Sequence, residues 1–199
     1  IAKCLNSLPL GDAAVAIHVV INGSGDRTAE IARGIAASMP NLWVHEYAQG
    51  GKSRSWNRFV LDELPEFHDV HIFADGDAEI VAGSISALAA TLAANREANG
   101  ASAFPRNGRR AEHYSQLMRT SHGIFGDLYA LRGDFLRRMK AAGIRLPDDL
   151  IGDDGLIGAL VKTDLKNEDD LRPSRLPYCE GAGFLCEPAP CGKSLDRMR

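Results

Sequence analysis

Asp75-Gly76-Asp77 closes the apolar run Val70-His71-Ile72-Phe73-Ala74, so a strand hands two carboxylates to one loop. Two carboxylates that near each other do not both ionise cheaply without a positive partner. A divalent cation is the natural one, because hard cations are commonly held by one or two carboxylates plus substrate phosphates. The plainer alternative is an acidic turn, since Asp and Gly are common turn residues. A second pair, Asp153-Asp154, follows Gly152 and opens the helical run Gly155-Leu156-Ile157-Gly158-Ala159-Leu160. An Asp there either caps the helix or projects a base into a cleft. Two polar loops accompany the acids: Asn22-Gly23-Ser24-Gly25-Asp26-Arg27-Thr28, and Gly51-Lys52-Ser53-Arg54-Ser55-Trp56-Asn57 with its lysine.

The elements that must position these residues alternate between strand and helix. Val15–Asn22 reads as a buried strand, Arg27–Met39 as a helix with apolar residues at helical spacing, and Leu42–Tyr47 as a strand. Ser53–Leu64 follows as a helix, Val70–Ala74 as the third strand, and Gly83–Asn95 as an Ala-rich helix. This alternation predicts an α/β fold with a mostly parallel sheet flanked by helices. Ligands of such sheets bind beyond the carboxyl ends of the strands, where Asn22, Tyr47 and Asp75 all lie. Further on, Arg109–Arg119 reads as helix, Gly126–Leu131 as strand and Asp134–Ala142 as helix, and the tail after Leu171 as loop with one short strand. Trp56 and Tyr129 read as core, and His122 as a loop residue.

At 199 residues, 45% hydrophobic and 25% charged, the chain has the composition of one ordinary globular domain. A net charge of −3 offers no overall basic footprint for nucleic acid. Residues 106–145 nevertheless hold nine Lys/Arg against three Asp/Glu, and residues 146–171 hold eight acids against two bases. Arg106, Arg109, Arg110, Arg137 and Arg138 either gather around an anionic acceptor or an acidic membrane surface, or pair with the acidic stretch. Cys4, Cys179, Cys186 and Cys191 show no C-x-x-C spacing and no interleaved His, which argues against zinc and for free thiols in a reducing compartment. No run reaches the ~20 apolar residues of a membrane helix. The expected location is cytoplasmic, extending to the inner face of the membrane.

The order of the four signals resembles the family 2 glycosyltransferases of the GT-A fold. Their marks are a polar loop with S-x-D-x-T after an early strand, a G-K-x-x-x-x-N element, a D-x-D, and a later E-D or D-D pair. Here these are Ser24-Gly25-Asp26-Arg27-Thr28, Gly51-Lys52 through Asn57, Asp75-Gly76-Asp77 and Asp153-Asp154, in order between about residues 4 and 165. The resemblance differs at both ends. The family's opening strand with its Pro-x-x-Asn-Glu-type loop has no counterpart ahead of Ile1-Ala2-Lys3-Cys4-Leu5, and the Gln-x-x-Arg-Trp element is absent. The expectation is therefore a fragment lacking the first strand and the C-terminal elements. It forms a single catalytic domain over 1–199, with a nucleotide-binding half at about 1–105 and an acceptor half at about 106–199.

The resemblance implies metal-dependent, inverting transfer of a sugar from a nucleoside diphosphate sugar to a saccharide or lipid-linked acceptor hydroxyl. It places Asn22, Ser24 and Asp26 toward the nucleobase and ribose, Lys52 beside the nucleotide and Asp75 on the ribose. Asp77 would hold a divalent cation, Mn²⁺ or Mg²⁺, on the diphosphate. Asp154 would be the general base, with Asp153 as its orienting neighbour. Gly126 and Asp127 resemble the glycine-led strand that floors the acceptor site. The physics agrees with these roles. A cation ~4 Å from the leaving group's charge is worth roughly 4 kcal/mol at an effective dielectric near 20. That is about a thousandfold in rate if realised only in the transition state. Two rival readings stay open. Gly23-Ser24-Gly25-Asp26-Arg27-Thr28, with Glu46 beyond, approaches the fingerprint of an NAD(P)-dependent Rossmann oxidoreductase. The acids would otherwise be surface turns of a non-enzymatic α/β interaction domain. A nucleotidyltransferase would need a basic, glycine-rich phosphate loop near the start, and none is present there.

Overall fold

A computed structural model describes residues 1–108 and 110–186 of the chain. The first strand, β1 (Ile17–Asn22), alternates buried and half-buried residues. Its buried side chains Ile17, Val19 and Ile21 pack with Leu5 of α1 (Ala2–Ser7), Ala32 of α2 (Thr28–Ala36) and Leu42. β2 (Leu42–Tyr47) pairs with β1 in parallel, from Ile17 opposite Leu42 to Asn22 opposite Tyr47. The two strands therefore end level, and Gly23 N–H donates to Tyr47 O at 2.8 Å.

A second sheet has the order β3–β6–β5–β7–β4, with β3 at Val70–Ala74, β4 at Ala78–Ile80, β5 at Gly100–Pro105, β6 at Leu128–Arg132 and β7 at Tyr178–Cys186. The fold is α/β, as the alternation predicts. Its parallel pairs are β1–β2 and β5–β7, and β3–β6, β5–β6 and β4–β7 run antiparallel. The helices α3 (Lys52–Trp56, continuing as a π-helical segment Asn57–Glu63), α4 (Ser84–Ala94), α5 (Ala111–Ser121), α6 (Gly133–Ala141) and α7 (Asp153–Thr163) flank the strands. One core cluster joins Trp56, Phe59 and Val60 to Tyr129, Leu131, Phe135, Leu136, Ile157 and Val161. A second, under α4, is built from Leu88, Leu92, Ala101, Ala103, Leu128, Ala130 and Phe184.

Two strands depart from the expected pattern. β5 lies in the stretch after Asn95, where no element is predicted from the sequence, and its composition (Gly, Ala, Ser, Ala, Phe, Pro) is poor in β-branched residues. Close approach explains it: all six residues are buried, and a Cβ on Gly100 would stand 2.9 Å from Ala130 O. The tail holds the nine-residue strand β7 instead of a short one, because β7 gains partners on both sides, β5 and β4. Trp56 and Tyr129 are core residues, 8% and 2% exposed. Arg109 and Cys191 lie outside the described residues.

Histidines line the β1/β2 face away from the strand ends. His18 Nδ1 and His45 Nε2 are 3.0 Å apart, which requires one ring to donate and the other to accept. Burial holds His18 and His45 below the ordinary imidazole range, with His45 adding to the effect on His18. Burial, then the neighbouring His68, takes His71 down to about 4. Such groups bind protons more weakly in the folded than in the unfolded chain. Their contribution to stability is therefore present above the unfolded value near ~6.5 and lost as pH falls from there toward 4. Urea unfolding between pH 7 and 4.5 should show a falling midpoint. His71→Phe, whose ring suits the neighbouring Phe67 and His68, should flatten that fall.

Candidate active site

The β3–β6 register builds the first part of the site. Ala74 lies opposite Leu128, so Asp75 leaves β3 beside Asp127, which precedes β6, and Asp75 N–H donates to Asp127 O at 3.3 Å. Asp77 follows in the tight connection to β4, where Ala78 N–H donates to Asp75 O. One carboxylate oxygen from each of Asp75, Asp77 and Asp127 lies within 4.8 Å of the other two. Burial holds Asp75 above the usual carboxylate range, and Lys52 opposes that while Asp77 and Asp153 reinforce it. Asp127 is raised by burial too, with Asp75 and Asp77 adding repulsion. Three oxygens this close, two of them on reluctant carboxylates, could serve as donors to a hard divalent cation. Cys186, opposite Ala78 at the end of β7, donates its thiol to Asp127 Oδ2 at 3.2 Å. Burial, then Asp127, pushes that thiol up to about 12, so it stays a neutral donor.

Lys52 begins α3 and carries the charge that balances these acids. Its Nζ is 2.7 Å from Asp75 Oδ1 and 3.8 Å from Asp153 Oδ2. Burial works against the ammonium, but Asp75, Asp153 and Asp154 together hold it above its usual range. Asp153 is 6% exposed, and its Oδ2 is buried with no hydrogen-bond partner, so Lys52 is its compensating charge. Asp154 sits half-buried in the first turn of α7. Gly155 N–H donates to its Oδ1 at 2.8 Å, and Oδ2 makes no hydrogen bond among the described residues. That oxygen faces Gly126, where a Cβ would stand 3.6 Å from it and 3.2 Å from Lys52 Nζ. Only glycine leaves that floor open.

The structure thus brings Asp75, Asp77, Asp153 and Asp154 together around Lys52 and adds Asp127. Asp127, which the resemblance places with Gly126 at the acceptor floor, lies beside Asp75 and Asp77 through the antiparallel β3–β6 register. An acid just before a strand gives no such signal until the partner strand is known. The polar loop after β1 approaches the same rim: Gly51 N–H donates to Asn22 Oδ1 at 3.3 Å, and a Cβ on Gly23 would meet the Gly50 backbone at 2.8 Å. Ser24 and Asp26 are exposed and bonded within their own loop. Asp26 accepts from the Ser24 hydroxyl at 2.6 Å and from Thr28 N–H at 2.9 Å, which draw it down to about 2.

Three of the five arginines considered for an anionic acceptor or membrane surface have partners within the chain, one of them, Asp164, in the acidic stretch. Arg106 caps carbonyls of Glu180 and Ala182, Arg137 donates to Phe67 O, and Arg138 bonds Asp134, Asp164 and Asn99. Among the described residues no helix is long and apolar enough to cross a membrane.

No protein-family model and no curated sequence matches the chain. Among solved structures it is similar to a mannosyltransferase, PcManGT, from Pyrobaculum calidifontis, in complex with GDP-mannose and Mn²⁺. The match has a TM-score of 0.69 and 19% identity over 96% of this chain and 52% of that one. At that identity the likeness shows the fold alone, one that this chain shares with a solved mannosyltransferase. The chain spans about half the length of the neighbour.

Replacing Asp127 by Asn should act in opposite directions on stability and binding. The neutral amide removes a carboxylate that burial and two like charges disfavour, so the metal-free melting temperature should rise. Loss of a charged oxygen should weaken Mn²⁺ binding, measured by calorimetry, by about tenfold or more.

Proposed function

We propose that the chain is the catalytic core of a metal-dependent glycosyltransferase, family 2-like. In this reading it moves a sugar from a nucleoside diphosphate sugar to an acceptor hydroxyl with inversion. The observation that carries the proposal is the meeting of the Asp75/Asp77/Asp127 cluster with Asp153-Asp154 across Lys52 and Gly126 in one cleft. The neighbour's complex with GDP-mannose and Mn²⁺ supports a nucleotide-sugar donor and a divalent cation.

Asp77 and Asp127 would hold Mn²⁺ or Mg²⁺ for the diphosphate, and Asp75, in the same cluster, would contact the ribose. When bound, the cation supplies Lewis-acid stabilisation of the charge that builds on the leaving diphosphate. Lys52 pairs with Asp75 and Asp153 and lies beside the same phosphates. Asn22, with Ser24 and Asp26 next to it, bounds the nucleobase and ribose side. Asp154 Oδ2 takes the proton of the acceptor hydroxyl, and the acceptor oxygen bonds to the anomeric carbon as its bond to the diphosphate breaks on the opposite face. A single base and direct displacement give inversion. A saccharide or lipid-linked hydroxyl fits this chemistry, and no gathered arginine surface is needed to recruit it.

A dinucleotide-binding reading would need the N-terminus of α2 free for a pyrophosphate. Asp26 already accepts from Thr28 N–H there, and Glu46 pairs with Arg33 at 3.2 Å.

Calorimetry with GDP, UDP and CDP, with and without Mn²⁺, tests the donor site. A folded Asp77→Asn protein that still binds the diphosphate with unchanged metal dependence would overturn the assignment. Asp154→Asn should preserve nucleotide binding and lower turnover by about 10²–10⁴-fold. Loss of nucleotide affinity with unchanged turnover would instead make Asp154 a donor ligand.

A further inference from the structure

In the element Gly51-Lys52-Ser53-Arg54-Ser55-Trp56-Asn57, Lys52 reaches the acids and Trp56 the core. Three other side chains, Ser53, Arg54 and Asn57, reach one target, the loop from Leu146 to Gly152 that leads into Asp153 and Asp154. Asn57 is 1% exposed and pairs with the Leu146 backbone from both ends of its amide: Nδ2 donates to Leu146 O at 2.8 Å, and Leu146 N–H donates to Oδ1 at 3.0 Å. Nδ2 also lies 3.4 Å from Asp148 Oδ1. One turn earlier, Ser53 Oγ donates to Leu150 O at 3.1 Å. Arg54 faces the acids of the same loop, Asp148 at 3.4 Å and Asp149 at 2.6 Å, and donates to Gly50 O at 2.6 Å.

The backbone is shaped for this contact. Gly51 has φ +123°, and a Cβ there would stand 2.9 Å from Arg54 Nη1 and 3.6 Å from Asp148 O. A cleft of about 400 Å³ remains between Gly50–Arg54 and Asp148–Asp153. Gly152, at φ +85°, then turns the chain into α7. Loop ordering has to be maintained against backbone entropy, and this loop has a highly exposed tip, Ile151 at 87%.

We infer that Asn57, assisted by Ser53 and Arg54, is a positioning residue for Asp154: α3 and its continuation clamp the Leu146–Gly152 loop and so set the base's place opposite Lys52 and Asp75. The catalytic half of this inference rests on the reading of Asp154 as the base. The clamp itself does not.

Two variants test it, Asn57→Ser in the core and Arg54→Met at the surface, the second free of the folding hazard of the first. Hydrogen exchange of the amides from Leu146 to Gly155 reads the clamp directly, since Leu146 N–H is one of its bonds. Both variants should speed exchange there while the β3–β6 amides keep their protection. Release of GDP from GDP-mannose with Mn²⁺ and water as acceptor reads the rate, and GDP–Mn²⁺ calorimetry reads the donor site. Turnover should fall by about 10–100-fold in Asn57→Ser, the scale of a misplaced catalytic group, with the GDP dissociation constant unchanged. Combined with Asp154→Asn, it should cost nothing further, because both changes remove the same contribution. Unchanged exchange at Leu146–Gly155 in both variants overturns the clamp. Losses that multiply in the double variant overturn its action through Asp154. If the unsubstituted chain binds no nucleoside diphosphate with Mn²⁺, the proposed function fails, and the exchange data still decide the clamp.

Discussion

One ammonium group makes this cleft tenable. Lys52 stands 2.7 Å from Asp75 and 3.8 Å from Asp153, acids contributed by a strand end and a helix start about eighty positions apart in the chain. Without it, Asp153 Oδ2 would be a buried carboxylate oxygen with neither a hydrogen bond nor a counter-charge, among the more costly arrangements a fold can hold. Much of the local architecture serves to hold Lys52 there. Gly51 turns the chain with a positive φ, Asn22 takes the Gly51 N–H, and α3 starts at the lysine itself. Gly126 leaves out the side chain that would crowd it.

A single ammonium does not neutralise five acids. Asp75 and Asp127 remain above the usual range even with Lys52 and the Cys186 thiol beside them, and the like charges around them contribute to that. A fold selected for stability alone would replace such residues. In the proposed reading, their presence is stability given up for affinity toward a positive ligand, the usual trade at functional positions. Cys186 fits the same logic. Held neutral by burial and by Asp127, it donates to one Asp127 oxygen and partly relieves the repulsion.

The early strands, the helices between them and the acids at β3 and α7 were legible because each signal is local: an apolar run, a helical period, a turn residue. Trp56 and Tyr129 were readable as core for the same reason. What escaped depends on pairing. Gly100–Pro105 has the composition of a loop and becomes a strand through close packing against Ala130. Tyr178–Cys186 lies in a proline-bearing tail and becomes the longest strand because two partners receive it. Asp127 joins the cation cluster only through the β3–β6 register. A run of charge does not name its partners either: Arg106, Arg137 and Arg138 turn to separate carbonyls and carboxylates.

The same distinction decides between the readings of the first polar loop. As a string, Gly23-Ser24-Gly25-Asp26-Arg27-Thr28 serves a dinucleotide fingerprint almost as well as the S-x-D-x-T of a glycosyltransferase. A pyrophosphate needs free N–H groups at the helix start, with no negative charge in front of them. Asp26 is held ionised by the Ser24 hydroxyl and the Thr28 N–H, and so places a carboxylate where that phosphate would sit. The loop therefore repels phosphate at α2, while Lys52 and the acid-bound cation of the proposed reaction attract it about one loop away. In the proposed reaction a diphosphate entering the cleft is steered by both, toward the β3–β6 rim and away from the α2 N-terminus. That reading lays the nucleotide across the strand ends, with its phosphates over Asp77 and its base toward Asn22.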